Sequence, residues 1–368
     1  MTNFKRLGDI ATYINGYAFK PEDRGNEGLP IIRIQDLTGN SYDLGFYNGK
    51  YPKRIEINNG DVLISWSGSL GVYHWNKGKA LLNQHIFKVV FDKSEIDKSY
   101  FIYAIQHYLK EMETKAHGAT MKHITKKDFD NMLVPYPNMQ RQYEIAGILG
   151  MVDSIIVFCQ QELTKLDELV KSRFVEMFGE MHSRVYETKK LREFCKFQQG
   201  TQVPIEEQIE TQLEGYTRFL RIIDYTQAPQ PPRYVSVKGK KIEEDSVVVV
   251  RYGATAGFVG HGYAGILANN LFEVIPDEAT MSKEFLYLTL KHGTFEQEVH
   301  DKAFGAAMPA LSFGMMNDII VAVPSKQAQN EFIVFVKQID KSKLAVKQSL
   351  EKLETLKKSL MQQYFGGK

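Results

Sequence analysis

The chain of 368 residues is two to three times the usual domain size, so each half is long enough to bury a core of its own. A composition of 43% hydrophobic and 24% charged residues excludes a chain that is disordered throughout. A net charge of only +2 excludes an acidic mimic of DNA and any strong overall field toward nucleic acid, so a nucleic-acid face has to come from local clustering.

Met1 to Asp9 is polar and has no apolar signal core. Short β-branched runs at Val62 to Trp66 and Ile86 to Phe91 predict strands, with a glycine turn at Gly68 to Gly71. Apolar residues three and four apart predict a helix over Tyr100 to Ala116, and Met132 to Pro137 reads as a closing strand. Gln140 to Met177 contains no proline and reads as one long helix. The same order then returns. Strands are predicted at Ser246 to Tyr252 and Leu271 to Ile275, with a turn at Gly253 to Gly257. A helix over Lys283 to Lys302, a closing strand at Ile319 to Pro324 and a second long helix complete the chain. The expected division is body 1–139, helix 140–179, body 180–326 and helix 327–368. No run of eighteen apolar residues is seen, so no membrane span is expected and a cytoplasmic location is. Cys159 and Cys195 fall at unrelated points of the pattern, which argues against a disulfide framework.

The return is an internal repeat. Gly118 to Gly179 matches Gly305 to Gly366 without a gap, every pair 187 residues apart. Pro137, Gln140, Gln142 and Asp153 meet Pro324, Gln327, Gln329 and Asp340, and Phe178-Gly179 meets Phe365-Gly366. The earlier parts match with small insertions: Arg33-Ile34-Gln35-Asp36 resembles Arg221-Ile222-Ile223-Asp224. The unit is thus a whole body plus a helix, far longer than a solenoid repeat of ~20–50 residues.

Both helices carry a heptad seam. In the first it runs through Leu149, Val152, Ile156, Leu163, Leu166 and Val170. In the second it runs through Val336, Ile339, Val346, Leu350, Leu353 and Leu360, with Lys343 and Lys357 at seam positions. A helix of ~38 residues is ~57 Å long and needs a partner helix along its length. The expected fold class is α+β: two repeated mixed α/β bodies separated by two long helices forming an antiparallel coiled coil with approximate two-fold symmetry. Such a pair would hold two bodies a fixed distance apart, matched to a duplex that repeats every ~34–36 Å.

Catalytic motifs are missing. The nearest string to the Asn/Asp-Pro-Pro-aromatic loop of an adenine methyltransferase is Gln230-Pro231-Pro232-Arg233, wrong at its first and fourth positions. Gly45 to Lys50 falls one residue short of a phosphate-binding loop. The histidines show no metal-ligand spacing, so no metal or cofactor is expected in this chain.

Body-helix-body-helix order, the openings Leu7 to Gly16 and Leu191 to Gly200, the segment Asp61 to Gly68, and Pro135-Tyr136-Pro137 followed by Gln140-Arg141-Gln142 together resemble the specificity subunit of type I restriction–modification enzymes. The resemblance covers essentially the whole chain. It implies two target-recognition domains, one for each half of a split target in double-stranded DNA, and a spacer of paired helices. It further implies two modification (methyltransferase) subunits and restriction (motor-nuclease) subunits as partners. S-adenosylmethionine, ATP and Mg²⁺ would be bound by those partners, and this chain would be non-catalytic.

Candidate DNA contacts are polar or aromatic residues in the matching turns. In the first body they are Arg33, Gln35, Trp66, Ser67, Ser69, Asn83, Gln84, His85, Lys122, His123, Lys126 and Lys127. In the second they are Arg221, Arg251, Tyr252, Thr255, Asn269 and Asn270. The bland alternative has Trp66 and Tyr252 in cores and the asparagines capping turns. Two other functions fit the pattern: the recognition subunit of a two-component enzyme with fused cutting and methylating activities, and a coiled-coil scaffold that binds no DNA.

Overall fold

The structure, a computed structural model, describes residues 3–115, 126–179, 186–227, 230–293, 295, 299 and 310–366. In the first body the elements are β1 (Phe4–Arg6), β2 (Thr12–Asn15), β3 (Leu29–Ile32), α1 (Ile34–Thr38), β4 (Gly45–Tyr47), β5 (Glu56–Ile57), β6 (Val62–Ser65), β7 (Gly71–His74), β8 (Ala80–Leu82), β9 (Ile86–Val90), α2 (Lys98–Lys115), α3 (Lys126–Asn131) and β10 (Leu133–Pro135). The long helix α4 (Met139–Phe178) follows. The second body has β11 (Thr188–Lys190), β12 (Cys195–Gln199), β13 (Thr217–Leu220), α5 (Ile222–Thr226), β14 (Arg233–Val235), β15 (Lys241–Ile242), β16 (Val247–Val250), β17 (Val259–Gly260), β18 (Gly265–Leu267), β19 (Leu271–Pro276), α6 (Lys283–His292), α7 (Phe313–Asn317) and β20 (Ile320–Ala322). The chain then enters α8 (Lys326–Phe365).

Each body holds the same three sheets. In the first, two four-stranded sheets have the orders β2-β9-β6-β7 and β4-β3-β8-β5, and β1 pairs with β10. In the second, the orders are β12-β19-β16-β17 and β14-β13-β18-β15, and β11 pairs with β20. The pairs β3·β8 and β13·β18 are parallel, and the other ladders are antiparallel. Pairing of the first and last strands closes each body on itself. The registers also equate positions between the bodies: Leu63 lies opposite Tyr73 and Lys88, as Val248 lies opposite Gly260 and Glu273.

The predicted central strands and long helices are present. The helix expected over Lys283 to Lys302 is described only as Lys283–His292. By length and composition alone α4 could cross a membrane, in contrast to the sequence expectation. Part of its apolar surface packs within the fold, as the seam shows.

The molecule divides into two compact units, Met1–Gln160 with Gln348–Lys368, and Gln161–Lys347. The cut passes through both long helices rather than at their ends. In the first unit, Ile145, Ala146 and Leu149 of α4 pack with Tyr100 and Tyr103 of α2 and with Phe365 of α8. Asp153 accepts from Tyr103 Oη at 2.9 Å and pairs with Lys357 at 2.6 Å, while Arg141 lies over the Tyr364 ring. As the α4 number rises, its α8 partner's falls, so the two segments run antiparallel. In the second unit, Asp167 pairs with Lys343, and Phe174 and Phe178 pack on Phe332, again antiparallel. The seam lysines are therefore matched by aspartates on the other helix. Leu149, Val152, Val170 and Val336 are buried, and Ile156, Leu163, Leu166, Ile339, Val346, Leu350, Leu353 and Leu360 are half-buried.

The duplicated glutamine also has a reason. Gln142 is fully buried, accepts from the Asp97 N–H at 3.0 Å and donates to the Pro137 carbonyl at 2.8 Å. Gln329 does the same between the Ser282 N–H and the Pro324 carbonyl. Each glutamine ties the start of a long helix to the start of the body's own helix.

Phe365 is fully buried, its ring tilted against that of Tyr100 at 5.3 Å. Phe365→Ala is expected to destabilise the first unit by about 3–5 kcal/mol in chemical denaturation, because the cavity is lined by helices that cannot collapse into it. His292 is half-buried beside Lys291 and Lys343; burial first, then these charges, push its pKa down to about 4. Its depressed folded-state pKa means that the neutral form is favoured by folding. That stability is complete above the unfolded value of about 6.5 and is lost as pH falls toward 4. Against wild type, His292→Gln should show a flatter loss of stability over this window.

Candidate nucleic-acid interface

Two close approaches build the same edge in both bodies. Gly16 follows β2, and a Cβ there would run into the Asn83 carbonyl oxygen; Gly200 follows β12 and would meet the Ala268 carbonyl. Glycine lets the chain cross the turn between β8 and β9, or between β18 and β19, at backbone contact distance. Tyr17 and Asn83 then form a bridge, as Thr201 and Ala268 do.

In the first body this edge gathers the end of β2, the turn 66–70 and the turn 83–85. The Trp66 N–H donates to the His85 carbonyl at 3.1 Å, and its indole N–H donates to Asn15 Oδ1 at 3.3 Å. The Trp66 ring stacks on Phe87 at 5.6 Å and meets His85 edge-on at 4.9 Å. Ser65 Oγ donates to the Ser69 carbonyl at 2.6 Å and holds the turn closed. His85 sits at φ 70°, the one non-glycine with positive φ among the described residues. Ser67 and Asn83 are half-buried, Ser69 and Gln84 exposed.

In the second body Arg251 takes the place of Trp66 and Asn270 that of His85. The Arg251 N–H donates to the Asn270 carbonyl at 2.9 Å, and the Leu311 N–H donates to the Arg251 carbonyl at 2.8 Å. The guanidinium lies over the rings of Tyr252, at 4.7 Å, and Phe313, at 5.5 Å. Tyr252 and Thr255 are exposed on the turn, and Gln199 donates to the Asn269 carbonyl at 2.9 Å. Asn83 Oδ1, Asn270 Oδ1 and Arg251 Nε are buried atoms with no hydrogen-bond partner among the described residues. Asn83 Oδ1 stands at this edge in the first body, and Asn270 Oδ1 with Arg251 Nε at the matching edge of the second.

Arg33 and Arg221 stand differently. Each precedes a short helix and clasps the acid three residues on. Arg33 Nε donates to Asp36 at 3.1 Å and Nη2 to Ser41 at 3.0 Å and to the Asp43 carbonyl. Hydrogen bonding to Asp36 raises the Arg33 pKa further. Arg221 Nε donates to Asp224 at 3.0 Å and Nη2 to the Pro231 carbonyl at 2.9 Å. These guanidiniums are committed inside the fold, and base reading by either would require dismantling a helix cap. Gln35 is exposed on α1. Lys126 and Lys127 are exposed on α3, with Lys126 paired to Asp130 at 3.2 Å. Lys122 and His123 lie outside the described residues. Asn15, Tyr17, Gln199, Thr201 and Phe313 belong to the edge but were not among the sequence candidates. The first four flank Gly16 and Gly200 in sequence, whereas Phe313 carries no such signal.

Among the described residues no group of three or more His, Cys, Asp or Glu side chains could hold a metal ion. Cys159 and Cys195 are free thiols.

Removing the clasp tests the assignment of the two capping arginines. Arg221→Ala leaves the almost fully buried Asp224 carboxylate without its main partner. The expected cost is about 1–3 kcal/mol in denaturation.

The family described as type I restriction modification DNA specificity domain matches residues 2–168 and again residues 184–357. The chain is similar to the type I restriction enzyme EcoBI specificity subunit of Escherichia coli, at 21% identity over 98% of this chain and 85% of that protein. Its fold is similar to a type I restriction–modification S subunit from M. genitalium, with TM-score 0.57, 18% identity and coverage of 99% and 96% of the two chains. It is also similar to a chain from a structure concerned with complex assembly and conformational transition of the type I restriction–modification system, with TM-score 0.64, 12% identity and coverage of 98% and 97%. With two matches that together span nearly all of its length, the chain belongs to the type I restriction–modification DNA specificity family.

Proposed function

We propose that this chain is the sequence-reading subunit of a type I restriction–modification complex, with each body reading one half of a split target in double-stranded DNA. The observation that carries the reading is the duplicated edge. Two copies of one scaffold present different side chains, Trp66 and His85 in one and Arg251 and Asn270 in the other, at matching positions. One scaffold reading two unlike half-sites needs this arrangement: constant backbone, variable chemistry. Exposed Lys126 and Lys127 would add phosphate contacts that position the protein without reading sequence.

In this reading the paired helices fix the separation of the half-sites. Unbroken helices of forty residues are about 60 Å long and resist bending over that length. They also offer the surface on which two modification subunits would dock, with restriction subunits joining the assembly. S-adenosylmethionine would supply the methyl group, and ATP with Mg²⁺ would drive the motor, all held by those partners. The part of this chain is to bind, orient and select.

Methylation mapping of genomic DNA tests the reading. Cells carrying the gene with its partner subunits should methylate a split motif, with two short defined halves around an unread spacer. Deletion of this gene alone should abolish methylation at every such site. A contiguous motif, or methylation that survives deletion, contradicts the proposal.

A further inference from the structure

We propose that Arg251 reads a guanine in the half-site bound by the second body, donating from the edge of its guanidinium to guanine O6 and N7. This rests on the reading of the chain as a DNA specificity subunit and assigns base chemistry to one position of it.

Ion pairing within the second unit singles this residue out. Six of its arginines are described, and five of them lie within ion-pair distance of a carboxylate. Arg173 faces Glu176, Arg192 faces Asp318, Arg218 and Arg221 face Asp224, and Arg233 faces Glu210. Arg251 has no carboxylate partner among the described residues, and its Nε is buried without a hydrogen bond. The guanidinium is nevertheless held in place. Tyr252 and Phe313 contact it through its ring-facing surface at 4.7 and 5.5 Å. Contact with the rings uses the face of the guanidinium plane and leaves the N–H groups along its edge unused by them.

The main chain beneath it is equally fixed. Its N–H is tied to Asn270 and its carbonyl to Leu311. A base-reading side chain needs this combination: a rigid root, a stacked and oriented head, and donors not already engaged. Guanine is the base that offers two adjacent acceptors in the major groove, matched by two parallel donors of one guanidinium. Asp and Glu, which would read cytosine, are absent from this turn, Arg251 to Phe258.

The first body supplies the contrast. Trp66 occupies the equivalent position, and its indole offers one N–H, already donated to Asn15. It cannot make a bidentate contact, so the first half-site has no guanine read from this position. One structural position thus gives the two half-sites different requirements.

The test uses the assembled complex of this chain with its modification subunits, after its split motif has been mapped. Each guanine of the motif is replaced in turn by 7-deazaguanine, which lacks the N7 acceptor, and binding is measured by competition. One guanine, confined to one half-site, should weaken wild-type binding about tenfold or more, as the loss of part of a bidentate pair implies. Arg251→Gln should bind the natural site about tenfold to a hundredfold more weakly and lose its response to that replacement. Arg251→Lys should fall between, and Tyr252→Leu should reduce the discrimination while leaving the arginine in place. Thermal melting of each variant shows whether it is folded. If Arg251→Gln does not fold, the wild-type scan decides alone: a motif with no guanine that depends on N7 overturns the assignment. An Arg251→Gln complex that still responds to 7-deazaguanine at the same position overturns it as well. Failure of the wild-type complex to bind any split motif would instead reject the broader functional reading, before Arg251 is tested.

Discussion

An amphipathic helix of forty residues cannot hide its seam against one small body, and two such helices in one chain answer that constraint by lying along each other. Apolar contact alone would leave their register loose, since a heptad seam can slide by one repeat at modest cost. Here the polar seam positions settle it. Asp153 with Lys357 in one unit, and Asp167 with Lys343 in the other, step by the same number of residues in opposite directions. Aromatic side chains then anchor each helix end to a body, Phe365 against Tyr100 in one unit and Phe178 against Phe285 in the other.

On that frame the two bodies have diverged by compensated exchange. Lys88 in the central strand of the first body pairs with Asp61 at 3.0 Å. The matching position of the second is Glu273, which pairs with Lys240 at 3.2 Å and accepts from Ser246. The sign of the buried charge is reversed, but a partner of opposite sign is present in each. Likewise, Tyr73 of β7 is matched by Gly260 of β17, whose missing side chain makes room for the Tyr225 ring. Interior changes are thus matched in pairs, while the edge turns carry different side chains on a matching backbone. That difference is what lets one scaffold carry two specificities.

Much of this was legible in the sequence because it rests on period and repetition. The offset of 187 residues and the seam from Leu149 onward follow from side-chain spacing alone. The strands β1, β2, β3 and β8 were not legible, because runs of three or four residues show too little alternation to register. The parallel pairing of β3 with β8 depends on contacts distant in sequence. Among the site residues, local geometry adds what residue type does not show. Arg33 and Arg221 look like phosphate or base contacts, and each is also paired with an acid three residues later. The repeated Arg-Ile-x-Asp string was visible, and its spacing is that of a helix N-terminus. Arg251 carries no such acid.

The division of the helices between the units has a consequence for biosynthesis. Every residue of the second unit lies between Gln161 and Lys347, so its parts are all present once that stretch has left the ribosome. The first unit includes the segment that begins at Gln348 and has Phe365 in its core, so it is complete only after that segment has emerged. The unit translated first is the one completed last. A message interrupted soon after Lys347 encodes every residue of the second unit but lacks the Phe365 that the first unit buries.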